Sequence, residues 1–141
     1  MLAETLTYKD YNGEERTETF YFNLNKSEVA MMELKHPGGY SEFLKRIVES
    51  KDQKKIVESF QQLIEDSYGV KSDDGHYFKK SKEAFELFKS TEAYSELLIK
   101  ILSDPEAASR FVNGIMPITD LNEQQKAEIA VKTQQLIESK Q

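Results

Sequence analysis

The sequence predicts an α+β protein, mainly α: an N-terminal β-hairpin followed by about six helices packed as a small bundle. Three observations carry that prediction. Apolar residues alternate with polar ones only near the N-terminus, at Leu2, Leu6 and Tyr8 and again at Phe20, Phe22 and Leu24. An Asn12-Gly13 turn signal lies between the two runs. From residue 25 onward the apolar spacing becomes helical and is punctuated by helix-capping residues.

The hairpin comes first. A two-residue Asn12-Gly13 loop would pair even positions with odd ones and put Leu6 and Phe20 on opposite faces. A three-residue loop, Tyr11-Asn12-Gly13, keeps Leu2, Leu6, Phe20 and Phe22 on one face and is the register expected. Gly13 then takes the left-handed position of a bulge. An isolated hairpin is marginal in water, so its apolar face must cover something.

Six helices follow. Asn25 with Glu28 forms a capping box, opening a helix with Val29, Met32 and Leu34 that stops before Pro37-Gly38-Gly39. Ser41 caps a second, with Phe43, Leu44, Ile47 and Val48 at helical spacing. Asp52 caps a third, with Ile56, Val57, Phe60, Leu63 and Ile64 on one side and Gly69 as its stop. A polar turn over 71–76 leads to Ser81, which starts a helix carrying Phe85 and Phe88. This helix pauses near Ser90-Thr91 before Tyr94, Leu97, Leu98, Ile101 and Leu102. Asp104-Pro105 restarts the chain as N-cap and first helical residue, and Asn113-Gly114 ends that helix.

Met116-Pro117 marks a connector. The expected division is a compact body over 1–117, with hairpin 2–24 and helices 26–116, and a C-terminal helical tail over 118–141. Asn122 with Gln125 starts the tail helix, whose apolar residues, among them Ile129 and Leu136, make only a narrow stripe. Such a helix is peripheral, detached or packed on a partner.

Composition limits the chemistry. The 141 residues suit one domain. Cysteine is absent, so no disulfide, thiolate metal site or cysteine nucleophile exists. His36 and His76 are isolated in sequence, and neither has a Ser or Thr in a recognisable nucleophile motif nearby. Aligned as a calcium loop, Asp73-Asp74-Gly75 would lack both key carboxylates, at Val70 and Ser81. Gly38-Gly39 lacks the spacing and the Lys of a phosphate loop. The dense acids Glu14, Glu15 and Glu18 lie on a hairpin tip and read as a solvated face.

With 19 basic and 25 acidic side chains the net charge is −6, which argues against nucleic acid as a partner. A basic run, Lys45, Arg46, Lys51, Lys54 and Lys55, reads as the solvated side of amphipathic helices. The N-terminus has no signal-peptide pattern, and no apolar run reaches the roughly 20 residues that span a bilayer. No cofactor is expected. The residues alone therefore lead to protein–protein binding.

Five stretches add a family likeness. They are Leu6-Thr7-Tyr8-Lys9-Asp10-Tyr11-Asn12-Gly13-Glu14-Glu15-Arg16-Thr17-Glu18, Phe20-Tyr21-Phe22-Asn23-Leu24-Asn25-Lys26-Ser27-Glu28, Tyr68-Gly69-Val70-Lys71-Ser72-Asp73-Asp74-Gly75, Thr91-Glu92-Ala93-Tyr94-Ser95-Glu96-Leu97 and Phe111-Val112-Asn113-Gly114-Ile115-Met116-Pro117. Together they resemble the tail assembly chaperones of long-tailed bacteriophages that infect Gram-positive bacteria. The likeness covers roughly residues 5–117, and the C-terminal helix departs from it.

The resemblance implies a non-enzymatic protein that binds the tape measure protein, keeps it soluble and helps recruit tail tube protein. It implies action in the host cytoplasm, absence from the mature virion, homo-oligomers and, in many phages, a longer frameshifted product. A client with helical apolar stripes calls for an apolar groove. That groove is expected among the hairpin face and the helices around Phe43, Ile47, Phe85 and Phe88, with Ile129 and Leu136 of the tail covering it or adding a second contact. A structural tail or head–tail connector protein and a phage regulator of a host protein are the alternatives.

Overall fold

A computed structural model describes residues 1–36 and 52–117. Strands β1 (Leu2–Lys9) and β2 (Glu15–Phe22) form the expected hairpin. Leu2 pairs with Phe22, Leu6 with Glu18 and Lys9 with Glu15, so paired numbers always sum to an even value. The loop is Tyr11-Asn12-Gly13. Gly13 N donates to Asp10 O at 3.0 Å, Asp10 N donates to Glu14 O at 2.8 Å, and Gly13 has φ +82°. The backbone there favours glycine, which is why this residue closes the turn. Asp10 completes it: its carboxylate accepts Asn12 N and Glu14 N and pairs with Arg16 Nε at 2.8 Å.

This register decides the two faces. Leu6, Tyr8 and Phe22 are buried on one side, with Leu2 and Phe20 packed beside them. The odd positions Thr5, Thr7, Thr17 and Thr19 face water, where the hydroxyls pair across the strands at 2.9 Å.

The hairpin is half of a larger sheet. Strands β3 (Tyr68–Lys71) and β4 (Phe78–Lys79) extend it to four antiparallel strands in the order β1-β2-β3-β4. Gly69 is therefore not the helix stop that its sequence position suggests. It sits in β3 opposite Tyr21, and the Phe78 ring lies over it. A Cβ on Gly69 would come within 2.6 Å of that ring, so only glycine lets Phe78 close down.

Five helices stand among the described residues. They are α1 (Lys26–Lys35), α2 (Gln53–Ser67), α3 (Lys82–Lys89), α4 (Glu92–Ser103) and α5 (Pro105–Ile115). The helix expected after Ser41 and the tail helix after Asn122 lie outside the described residues. Caps fix the starts of α1, α2, α3 and α5, where each supplies a side-chain acceptor to an orphan N–H. Asp52 accepts Lys55 N at 3.3 Å, Ser81 accepts Ala84 N at 3.1 Å, and Asp104 accepts Glu106 N at 3.0 Å. The break at Ser90-Thr91 separates α3 from α4 as expected.

Helix α5 departs from expectation in one respect. Asn113-Gly114 does not end it; the helix runs on to Ile115. Gly114 makes room for Leu2, whose Cδ1 would lie 2.7 Å from a Cβ there. The Ile115 carbonyl then accepts Leu24 N at 2.7 Å, which ties the exit of β2 to the end of α5.

The core lies between the sheet and helices α2 to α5. Phe22 is its centre, with ring contacts to Phe111 at 5.4 Å, Tyr68 at 5.7 Å and Phe88 at 5.9 Å. Tyr68 stacks on Phe88 at 4.6 Å. The hairpin tip is held as well: the Tyr11 hydroxyl donates to Ser90 O at 2.8 Å, where α3 gives way to α4.

Candidate protein-binding cleft

Helix α1 differs from every other helix of the described residues. Its capping box is complete: Asn25 Oδ1 accepts Glu28 N, and Glu28 Oε1 accepts Asn25 N, both at 2.9 Å. Yet α1 buries no residue fully, whereas α2 to α5 each bury two or more. Its apolar residues Val29, Ala30, Met31, Met32 and Leu34 run around the helix and form no single stripe, so one packed face cannot take them all. Leu34 is 80% exposed and Met31 53% exposed. Leu34 therefore faces water.

An open cleft of about 290 Å³ lies along α1. Leu24, Met31 and Met32 supply its apolar lining, and Ser27, Glu28, Lys35 and Asp66 its polar edge. Lys80 holds Glu28 from outside α1, with Nζ 2.7 and 2.6 Å from the two carboxylate oxygens. Methionine is unbranched and polarizable, and adapts to apolar side chains of different shape. The arrangement therefore suits an apolar helix laid into a groove better than a small rigid ligand.

The residues expected to form the groove divide into two groups. Phe85 and Phe88 are core: they are 4% and 3% exposed, and Phe88 packs against Phe20, Phe22, Tyr68 and Tyr94. Both side chains are taken up by the core packing, and neither lines the cleft along α1. Phe43, Ile47, Ile129 and Leu136 lie outside the described residues. Sequence reasoning placed Leu24 only in the strand pattern and Met32 only in the α1 helix, and did not name Met31. The available signal was the scatter of apolar residues around α1.

Groups with displaced titration lie away from this cleft. The Arg16 guanidinium, followed by the backbone N–H groups of the turn, holds the Asp10 carboxyl below its usual range. Asp74 is lowered by the His76 N–H and the Ser72 hydroxyl, the bonds of a turn. The hydrogen bond to Glu18 pushes the Tyr8 phenol up, and burial does so for Tyr68. Among the described residues no three His, Cys, Asp or Glu side chains gather as metal ligands, and no helix is long and apolar enough to cross a membrane.

The model of a family described as phage tail assembly chaperone matches residues 1–141. The chain belongs to the phage tail assembly chaperone family. The match extends past the stretch of 5–117 that carried the resemblance and takes in the C-terminal segment, which therefore follows the family pattern too. No curated protein and no solved structure matches the chain. Membership implies a partner among the proteins of tail assembly.

Proposed function

We propose that this tail assembly chaperone binds the phage tape measure protein through the cleft along α1, keeps it soluble and promotes tail tube polymerisation, without catalysis. The observation that carries the reading is the state of α1: a capped helix with no fully buried residue, beside a methionine-lined cleft, in a chain of this family. A long helical client has an apolar stripe that self-associates. A groove that covers the stripe without locking it allows later exchange for tube subunits. The net charge of −6 supports solubility of the complex. The site of action is the host cytoplasm, and the chaperone is absent from the finished virion.

Co-expression tests this. The tape measure protein of the same phage is expected to be soluble with the chaperone and aggregated without it. An equal soluble fraction in both cases would refute the reading. Recovery of the chain at stoichiometric level from purified virions would favour a structural tail protein instead.

A further inference from the structure

We propose that the outer edge of β1 pairs with β1 of a second copy of this chain, joining two four-stranded sheets into one. This rests on the sheet and not on the α1 cleft, so it stands or falls separately from the client reading.

Strand β1 ends the sheet and among the described residues pairs only with β2. The opposite edge, β4, is two residues long, whereas β1 runs for eight without interruption. The bond from Asp10 N to Glu14 O fixes the alternation. Even positions of β1 turn their backbone groups to β2, and Ala3, Thr5, Thr7 and Lys9 turn theirs outward. Sheet edges are normally blunted by proline, a bulge, charge or shortness. The strand Leu2–Lys9 has no proline and a constant register. Its inward acid Glu4 is paired with Lys100 at 3.3 Å. Of the outward-bonding residues only Lys9, at the far end, is charged.

The strand's own sequence selects a second copy as the occupant. A two-fold axis at Leu6 sets Thr5 of each copy opposite Thr7 of the other. This even-sum register keeps the apolar faces of both copies on one side. Each threonine row already present, Thr5 with Thr19 and Thr7 with Thr17, then continues across the junction. No like charges meet: Glu4 comes opposite Tyr8, and Lys9 opposite Ala3.

Sedimentation of the full chain over a range of concentrations tests the proposal. Thr5→Pro removes an outward N–H and leaves the β1–β2 ladder in place. Should Thr5→Pro melt early, the double variant Thr5→Lys/Thr7→Lys serves, because it places like charges opposite each other twice. The wild type is expected to dimerise, and the double variant to weaken the dimer by about tenfold or more. The chain has no native cysteine, so single-cysteine variants report the register. Thr5→Cys mixed with Thr7→Cys should cross-link through a short bis-maleimide more than either alone. A chain monomeric at every concentration would overturn the proposal, and so would a dimer indifferent to both β1 variants. Protection of the Ala3, Thr5 and Thr7 amides in a monomer would place a segment of the same chain on this edge and equally overturn it.

Discussion

Lys80 grips both carboxylate oxygens of Glu28, at 2.7 and 2.6 Å, while the same carboxylate caps the Asn25 backbone N–H. One acid thus starts α1 and fastens it to the segment between β4 and α3. Val29 and Met32 pack against the core without being fully buried, and the Glu28 contacts add a fixed point at the start of α1.

Glu28→Ala is therefore expected to loosen α1 without unfolding the protein. Loss of half a capping box and of a partly exposed ion pair costs about 1–2 kcal/mol, felt locally. Hydrogen exchange of the α1 amides should accelerate roughly tenfold, while the amides of α4 stay unchanged. Equal acceleration in both helices would mean that α1 unfolds only with the whole body.

Gly69→Ala tests the sheet extension. The new methyl would lie 2.6 to 3.0 Å from three carbons of the Phe78 ring. Overpacking of this kind costs about 1–3 kcal/mol. Phe78→Leu in the same chain should restore part of the loss, measured as a coupling in thermal melts.

Phe88→Ala separates core from contact surface. Phe88 is buried among five aromatic rings. Truncation should cost about 3–5 kcal/mol in urea unfolding, a large share of the stability of a domain this size. Any loss of client binding in that variant would follow loss of fold.

Asp10 sets an acid limit on the hairpin tip. Its carboxyl titrates below the unfolded value because Arg16 and the turn amides favour the charged form. A group lowered in this way contributes stability fully present above the unfolded value and lost as pH falls through the folded one. Asp10→Asn should therefore lower the melting temperature at pH 7, and the gap to wild type should close below about pH 4. A gap that persisted at lower pH would locate the effect elsewhere.

Most local features were legible in the sequence. Asn25, Asp52, Ser81 and Asp104 announce their helices because caps are chemical requirements of a helix end. Hairpin parity follows from keeping Leu6 and Phe22 together. What failed to show depends on distant residues. Tyr68 to Lys71 is a four-residue strand made by pairing with β2, and its glycine reads locally as a helix stop. Gly114 likewise answers to Leu2, more than a hundred positions away. Phe85 and Phe88 carry no sequence mark that tells a core aromatic from a groove aromatic. The α1 cleft is a surface left open by packing, and helical spacing alone does not report it.

The central claim is that the α1 cleft receives the client. Its most direct measurement is the affinity of the purified chaperone for helical segments of the tape measure protein, wild type against Met31→Asp. Met31 lines the cleft and is half exposed, so the change should move stability by no more than about 0.5 kcal/mol. The account predicts binding weakened about tenfold or more, because Met31 is one of three apolar residues lining the cleft and aspartate sets a charge against the client's apolar stripe. Unchanged affinity in a folded Met31→Asp protein would contradict it.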